Sequence, residues 1–244
     1  MNSGIQCKNC GTQTKGAYCH ICGQRAGVHK VSFKETFGDL ASGLFTLEAP
    51  IWRTTKILFL KPGELFENYL SGQRKKYYKP VAYFILWTAV FLLVRSLLKY
   101  DPFKNVAADT TLNTDITWLM DAGKFMSANI NNFMFLFVFT LGACLKLFNY
   151  KRYSLAEFIA ISFYLLCVYT FINTVFQIYL KLSGADPSFI PALIFCLYLI
   201  YALYSFLKGN ILLAILKTIL IFLLSFLLYL LLSFSISIAV VLLF

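Results

Sequence analysis

Residues 61–98 read KPGELFENYLSGQRKKYYKPVAYFILWTAVFLLVRSLL. The first half of this stretch is basic, aromatic and interrupted by proline and glycine, whereas the second half, from Val81 to Leu98, is almost wholly apolar. An apolar run of about 18 residues is long enough to cross a bilayer as a helix. The stretch therefore predicts a first membrane span with a surface segment directly before it.

The composition of the whole chain agrees with a membrane protein. Of 244 residues, 59% are hydrophobic and 14% are charged, whereas soluble domains carry about 25% charged residues. Residues 1–80 contain 12 Lys and Arg against 5 acidic residues, and residues 81–244 contain 10 against 6. Beside a membrane span, this basic excess favours the lipid bilayer and its anionic headgroups as partner over nucleic acid.

Apolar runs predict an all-α polytopic membrane protein with about five transmembrane helices. The predicted spans cover residues 81–98, 131–149, 155–181, 188–207 and 212–240. An outer loop is predicted over 99–130. The last run lacks a turn signal and is too short for two crossings, so we expect one tilted helix whose first turns, to Lys217, lie in the interface. The spans form a domain over 81–244, after a zinc ribbon over 1–30 and juxtamembrane helices over 31–80.

Four of the seven cysteines follow the pattern C-x2-C-x8-C-x2-C, and they are Cys7, Cys10, Cys19 and Cys22. Two residues between paired thiols let one tight turn present both sulfurs to a single ion, and the glycine after each pair supplies a positive φ. Four thiolates leave zinc no open position, so we expect one structural Zn2+ ion. A redox dithiol pair and a ligand role for His20 are the alternatives.

Between the ribbon and the first span lie three amphipathic stretches, over residues 33–44, 51–59 and 62–71. They are too short or too charged to cross a bilayer. We expect helices that lie in the membrane interface with their apolar sides toward lipid. Packing of these helices on one another as a small soluble domain is the alternative.

The segment QRKKYYK at residues 73–79 carries four positive charges and two tyrosines directly before the first span. Each Lys or Arg near an anionic leaflet contributes about 1 kcal/mol of binding, and tyrosine favours the interface. We therefore expect a membrane-surface anchor. Its residues are Arg74, Lys75, Lys76, Tyr77, Tyr78 and Lys79. Specific binding of a lipid or another polyanion is the alternative.

The distribution of charge predicts the orientation in the membrane. Short loops after the second and fourth spans are basic, with Lys146, Lys151, Arg152, Lys208 and Lys217. Together with the basic N-terminal region, they predict a cytoplasmic N-terminus and a C-terminus outside. A cytoplasmic ribbon keeps its thiols reduced and available for metal.

One predicted span carries a polar stripe. Thr170, Asn173, Thr174 and Gln177 recur at helical spacing, so they share one face. Contacts between helices explain such a stripe, and a solvated cavity for a substrate is the alternative. No arrangement of acid, base and nucleophile is recognisable, so we expect no enzymatic activity.

Four ordered motifs resemble a bacterial membrane-protein family of unknown function. They are CxxCG at 7–11, YCxxCGQ at 18–24, PGExxxxYLxGxRKxY at 62–77, and Pro80 before Tyr83 and Phe84. The resemblance covers residues 7–98 and implies a zinc ribbon joined to a multi-span domain in the bacterial cytoplasmic membrane. It implies no activity. Residues 150–244 are loosely similar to the five-helix membrane domain of Yip-type proteins.

The favoured interpretation is a docking or scaffold protein that holds an unknown protein partner at the inner leaflet. The zinc ribbon and the basic residues would form its docking surface. A small-molecule or lipid transporter that uses the polar stripe is the alternative.

Overall fold

The computed structural model of the chain describes residues 5–28, 30–33, 36, 51–99, 117–185 and 189–243. The amphipathic stretch predicted over 33–44 lies largely outside the described residues. The same holds for most of the first half of the predicted outer loop.

The described residues form two short strands and eight helices. The strands β1 (Ile5–Gln6) and β2 (Gln13–Thr14) pair antiparallel within the N-terminal ribbon. The helices are α1 (Ile51–Leu60), α2 (Pro62–Ser71), α3 (Pro80–Leu98), α4 (Thr117–Ala128), α5 (Ile130–Phe148), α6 (Leu155–Ser183), α7 (Ile190–Leu207) and α8 (Ile211–Leu243). Helices α3 and α5 to α8 lie in the five segments predicted to span, and the last run forms one helix.

Four helices in the described part of the chain are long and apolar enough to cross a membrane, namely α3, α6, α7 and α8. The apolar part of α5, Asn132–Phe148, is shorter. On α8, Leu216, Leu223 and Leu227 are each more than half exposed. Such a surface suits contact with lipid rather than water. The prediction of an all-α, multi-pass membrane protein with a small N-terminal cysteine module is confirmed.

Helix α6 lies at the centre of the bundle, where it contacts α3, α5 and α7. Every side chain from Ala156 to Val168 is buried. A capping box begins the helix: the Ser154 amide donates to the Glu157 carboxylate at 2.7 Å, and the Glu157 amide donates to the Ser154 hydroxyl at 3.3 Å. This cap satisfies backbone donors at the helix start and gives the buried Glu157 a structural role.

Helices α1 and α2 pack on the membrane helices. Leu58, Leu65 and Phe66 are fully buried, and α2 contacts α7. The Tyr198 hydroxyl of α7 donates to the Leu58 carbonyl at 2.8 Å, and Phe66 meets the Tyr164 ring of α6. Helices α1 and α2 contact each other as well as the membrane helices, and their position relative to lipid stays a prediction. Part of their apolar surface thus faces α6 and α7, whereas Trp52 and Leu60 of α1 are 87% and 60% exposed.

Gly63 allows α2 to approach α7 closely. Its amide donates to the Ser205 hydroxyl at 3.0 Å, and a Cβ at this position would lie 2.5 Å from the Ser205 carbonyl oxygen. We expect Gly63→Ala to destabilise the folded protein by about 2 kcal/mol, because backbone atoms must move to make room. Thermal unfolding in detergent should show a lower midpoint. Gly209→Ala, whose Cβ would meet no atom, is the control. Equal midpoints for the two variants would contradict this role.

Part of the predicted outer loop is helical. Helix α4 occupies Thr117–Ala128 and contacts α8. On its exposed side, Lys124 pairs with Asp121 at 3.3 Å. The charged pair interrupts the apolar pattern, which explains why a search for long apolar runs does not find this helix.

Candidate metal centre and its contact with the basic segment

The ribbon, defined here as residues 5–28, consists of two similar turns that each carry a cysteine pair. In the first turn, the Gly11 amide donates to the Cys7 carbonyl at 2.8 Å. In the second turn, the Gly23 amide donates to the Cys19 carbonyl at the same distance. Both glycines have positive φ, +79° and +68°. The predicted need for glycine after each pair is confirmed, because few other residues adopt this conformation.

The two turns bring all four predicted sulfurs together. The sulfurs of Cys7, Cys10, Cys19 and Cys22 lie within 4.8 Å of one another. The sulfurs of Cys7 and Cys22 lie 3.6 Å apart, and those of Cys10 and Cys19 lie 3.5 Å apart. A tetrahedral ion with metal–sulfur bonds of about 2.3 Å separates its ligands by about 3.8 Å. The geometry therefore fits one metal ion with four thiolate ligands, and His20 is not part of the group.

Two of the thiols differ in acidity. Hydrogen bonding to the hydroxyl and backbone of Thr12 lowers the pKa of the Cys10 thiol to about 6. Desolvation raises the pKa of the Cys22 thiol to about 11. A metal ion binds the deprotonated form, so its charge would compensate four thiolates held close together.

Gln24 joins the ribbon to the basic segment, which we define as residues 73–79. Its side-chain amide donates to the Gly72 carbonyl at 2.8 Å. Its side-chain oxygen accepts from the amides of Arg74 and Lys75, both at 3.1 Å. The Gln24 side chain is buried, and no sequence pattern indicates its partners. It directly follows the second cysteine turn, so the position of that turn fixes the path of residues 72–75.

The ribbon also contacts the end of α2. Gly72 ends this helix with φ +109°. A Cβ there would lie 2.8 Å from the Lys8 side chain, whose ammonium group donates to the Val28 carbonyl at 2.9 Å. Gly72, the last glycine of the P-G-E…Y-L-x-G motif, thus ends the helix in a left-handed conformation and also leaves room for the contact with the ribbon.

The two tyrosines of the basic segment lie inside the protein. Tyr77 and Tyr78 are each 3% exposed, although the sequence predicts that they anchor the segment in the interface. The Asn68 amide donates to the Tyr77 hydroxyl at 3.0 Å, and the Tyr78 amide donates to the Thr54 hydroxyl at 2.9 Å. The Tyr164 hydroxyl donates to the Tyr78 carbonyl. These hydrogen bonds hold the segment on the bundle. Of its basic residues, Lys75 is exposed.

The polar stripe of α6 is largely satisfied within its own helix. Thr170, Asn173 and Thr174 donate to the carbonyls of residues 167, 169 and 170, each at 2.8 Å. Thr170, Thr174 and Gln177 are buried. The side-chain oxygen of Gln177 is buried without a hydrogen-bond partner among the described residues. Three of the four polar side chains thus donate to carbonyls of their own helix, and a role of the stripe in contacts between helices stays a prediction.

Comparison with known proteins identifies one region of similarity. No curated protein and no solved structure matches the chain. Residues 48–92 are similar to a protein family whose description is "Protein of unknown function (DUF3667)". The matched region includes α1, α2, the basic segment and much of α3.

Proposed function

We propose that the protein is a non-enzymatic docking protein, in which the zinc-loaded ribbon and the basic segment form one platform for a protein partner at the inner leaflet. The contact through Gln24 carries this proposal. If the metal site stabilised only the ribbon, the ribbon would not need a buried Gln24 side chain that forms hydrogen bonds with Gly72, Arg74 and Lys75, shortly before the first span.

The charges at one end of the bundle support a cytoplasmic position for this platform. Glu67 of α2, whose C-terminal end contacts the ribbon, pairs with Lys208 at 2.8 Å. Arg152 donates to the Leu207 carbonyl, so the basic turn before α6 lies at the same end. The ribbon thus shares one end with the basic turns that favour the cytoplasmic side. Thiols remain reduced in that compartment, as zinc binding requires.

The exposed side of the ribbon offers apolar surface to a partner. Ile5, Tyr18 and Ile21 are 54%, 65% and 66% exposed. Large apolar and aromatic side chains of this kind provide much of the binding energy in protein interfaces. In this proposal they contact the partner, while the basic segment faces anionic headgroups.

A capture experiment tests this function. We expect cross-linked membranes to yield a protein partner with the intact chain. A Tyr18→Ser, Ile21→Ser variant should bind zinc normally but recover at least about 30-fold less partner, because loss of even one such contact costs about 2 kcal/mol. Cys19→Ser should lose the partner as well. Lys15→Ser, at another exposed ribbon position, is the control.

Equal recovery from the wild type and from both ribbon variants would overturn the docking proposal. Loss of partner from the Lys15 control as well would show that capture depends on general charge rather than on the apolar surface.

Transport of a small molecule or lipid is the second candidate. The buried, unpartnered oxygen of Gln177 favours it, because an unsatisfied polar atom inside a bundle is costly unless water or a ligand reaches it. Flux through reconstituted vesicles that is lost in Gln177→Leu would support this candidate over docking.

A further inference from the structure

Three basic side chains lie in the turn between α5 and α6 or donate hydrogen bonds to it. Lys217, from the second turn of α8, donates to the Asn149 side chain at 2.8 Å. Lys146, at the end of α5, donates to the carbonyls of Tyr150 and Tyr153. Arg152, within the turn, donates to a carbonyl at the end of α7. One short turn thus holds cations from three parts of the chain in fixed positions. We call Lys146, Arg152 and Lys217 the basic cluster.

The basic cluster has no carboxylate partner in the part of the chain that the structure describes. Among the described residues, none of its three side chains forms an ion pair. Of the nearby acids, Glu157 accepts from the Ser154 amide at the start of α6, and Glu67 pairs with Lys208. Neutral carbonyl and amide oxygens hold these cations, so the cluster keeps a net positive charge that an anion would balance.

The basic cluster lies where the lipid-facing surface meets the polar end of the bundle. Leu213, Leu216 and Leu220 flank Lys217 on α8 and are 66%, 57% and 54% exposed. Beside Lys146, Leu147 is 65% exposed. Lys151 lies 5.5 Å from the ring centre of the exposed Tyr150. A cation cluster bordered by exposed leucines and an aromatic ring matches the boundary between headgroups and acyl chains.

We infer that the basic cluster binds a phosphate group, and that the leucines along α8 favour the phosphate of an anionic phospholipid whose acyl chains lie against that helix. Arginine and lysine both form strong charge-assisted hydrogen bonds with phosphate oxygens. Basic sites between membrane helices on the cytoplasmic side bind phosphorylated headgroups by the same chemistry. The site belongs to the membrane domain and requires neither the ribbon nor a protein partner.

Native mass spectrometry of the full chain in uncharged detergent tests this site. The probes are phosphatidylglycerol, phosphatidylcholine and inorganic phosphate. We expect one phosphatidylglycerol to bind more tightly than phosphatidylcholine. Arg152→Gln and Lys217→Gln should each weaken it about fivefold, and the double variant about 25-fold, as expected for removal of one or two charges near an anionic headgroup. Lys217→Arg, which keeps the charge, should retain binding.

Lys208→Gln is the matched control, because it removes the same charge at the same end of the bundle from a residue already paired with Glu67. Equal weakening by Lys208→Gln and Lys217→Gln would overturn the proposal, since the effect would then be one of net charge. If the double variant does not fold, binding of phosphatidylglycerol by the two single variants and by Lys217→Arg still tests whether the basic cluster is the site. Tight binding of inorganic phosphate that both glutamine variants lose would support the phosphate site and overturn its assignment to lipid.

Discussion

Replacing Cys19 with serine is expected to abolish metal binding by the ribbon and to unfold it. The four sulfurs lie within 4.8 Å of one another, and the Cys19 side chain is 2% exposed. Structural zinc sites contribute about 10–16 kcal/mol of apparent binding free energy near neutral pH, so the metal supplies most of the folding energy of such a module. Two strands of two residues each cannot replace this contribution.

Elemental analysis of the purified protein measures the first part of this prediction. We expect about one zinc ion per chain in the wild type and almost none in Cys19→Ser. Limited trypsin digestion measures the second part, because Lys15 and Arg25 should become accessible when the ribbon unfolds. The helix signal in circular dichroism should remain, since the buried core formed by α1 to α3 and α5 to α8 includes no residue of the ribbon.

Cys196→Ser is the control for this experiment. It makes the same chemical change on α7, outside the cysteine cluster. This variant should keep its zinc and its resistance to trypsin. Purified wild-type protein that contains no metal, yet protects its ribbon fully from trypsin, would contradict a structural role for the ion.

Much of the fold follows from short-range patterns. A run of about 20 apolar residues restricts the chain to helix in a bilayer, because every backbone polar group must find a partner within the segment. The cysteine spacing and the two glycines similarly fix the ribbon turns within a few residues. Both features depend on neighbours in the sequence, so they could be predicted without knowledge of the tertiary contacts.

The contacts between these parts could not be predicted in this way. Tyr77 and Tyr78 follow three basic residues, and this local pattern is typical of an interfacial anchor. Their burial depends instead on partners as distant as Tyr164. Gly63 likewise has the sequence context of a helix start, whereas its close contact is with Ser205 on another helix. A single sequence does not show which distant residues will meet.

Replacing Gln24 with alanine is expected to release the ribbon from the basic segment without loss of zinc. The substitution removes three hydrogen bonds, one to the carbonyl of Gly72 and two from the amides of Arg74 and Lys75. At about 1 kcal/mol each, their loss lowers the free energy of local opening by about 3 kcal/mol. The metal should stay bound because the backbone bond from the Cys19 amide to the Gln24 carbonyl, 2.7 Å long, does not involve the side chain.

Trypsin provides a direct measurement, because it cleaves after Arg74 and Lys75. When cleavage follows local opening, its rate rises about tenfold for each 1.4 kcal/mol, so Gln24→Ala should be cut about 100-fold faster at these bonds. Gln13→Ala is the matched control, since Gln13 is exposed on β2. Unchanged cleavage in Gln24→Ala would mean that the ribbon does not hold the segment. Loss of zinc from Gln24→Ala would instead show that the Gln24 side chain supports the metal site. It would contradict the claim that this side chain holds the basic segment without contributing to metal binding.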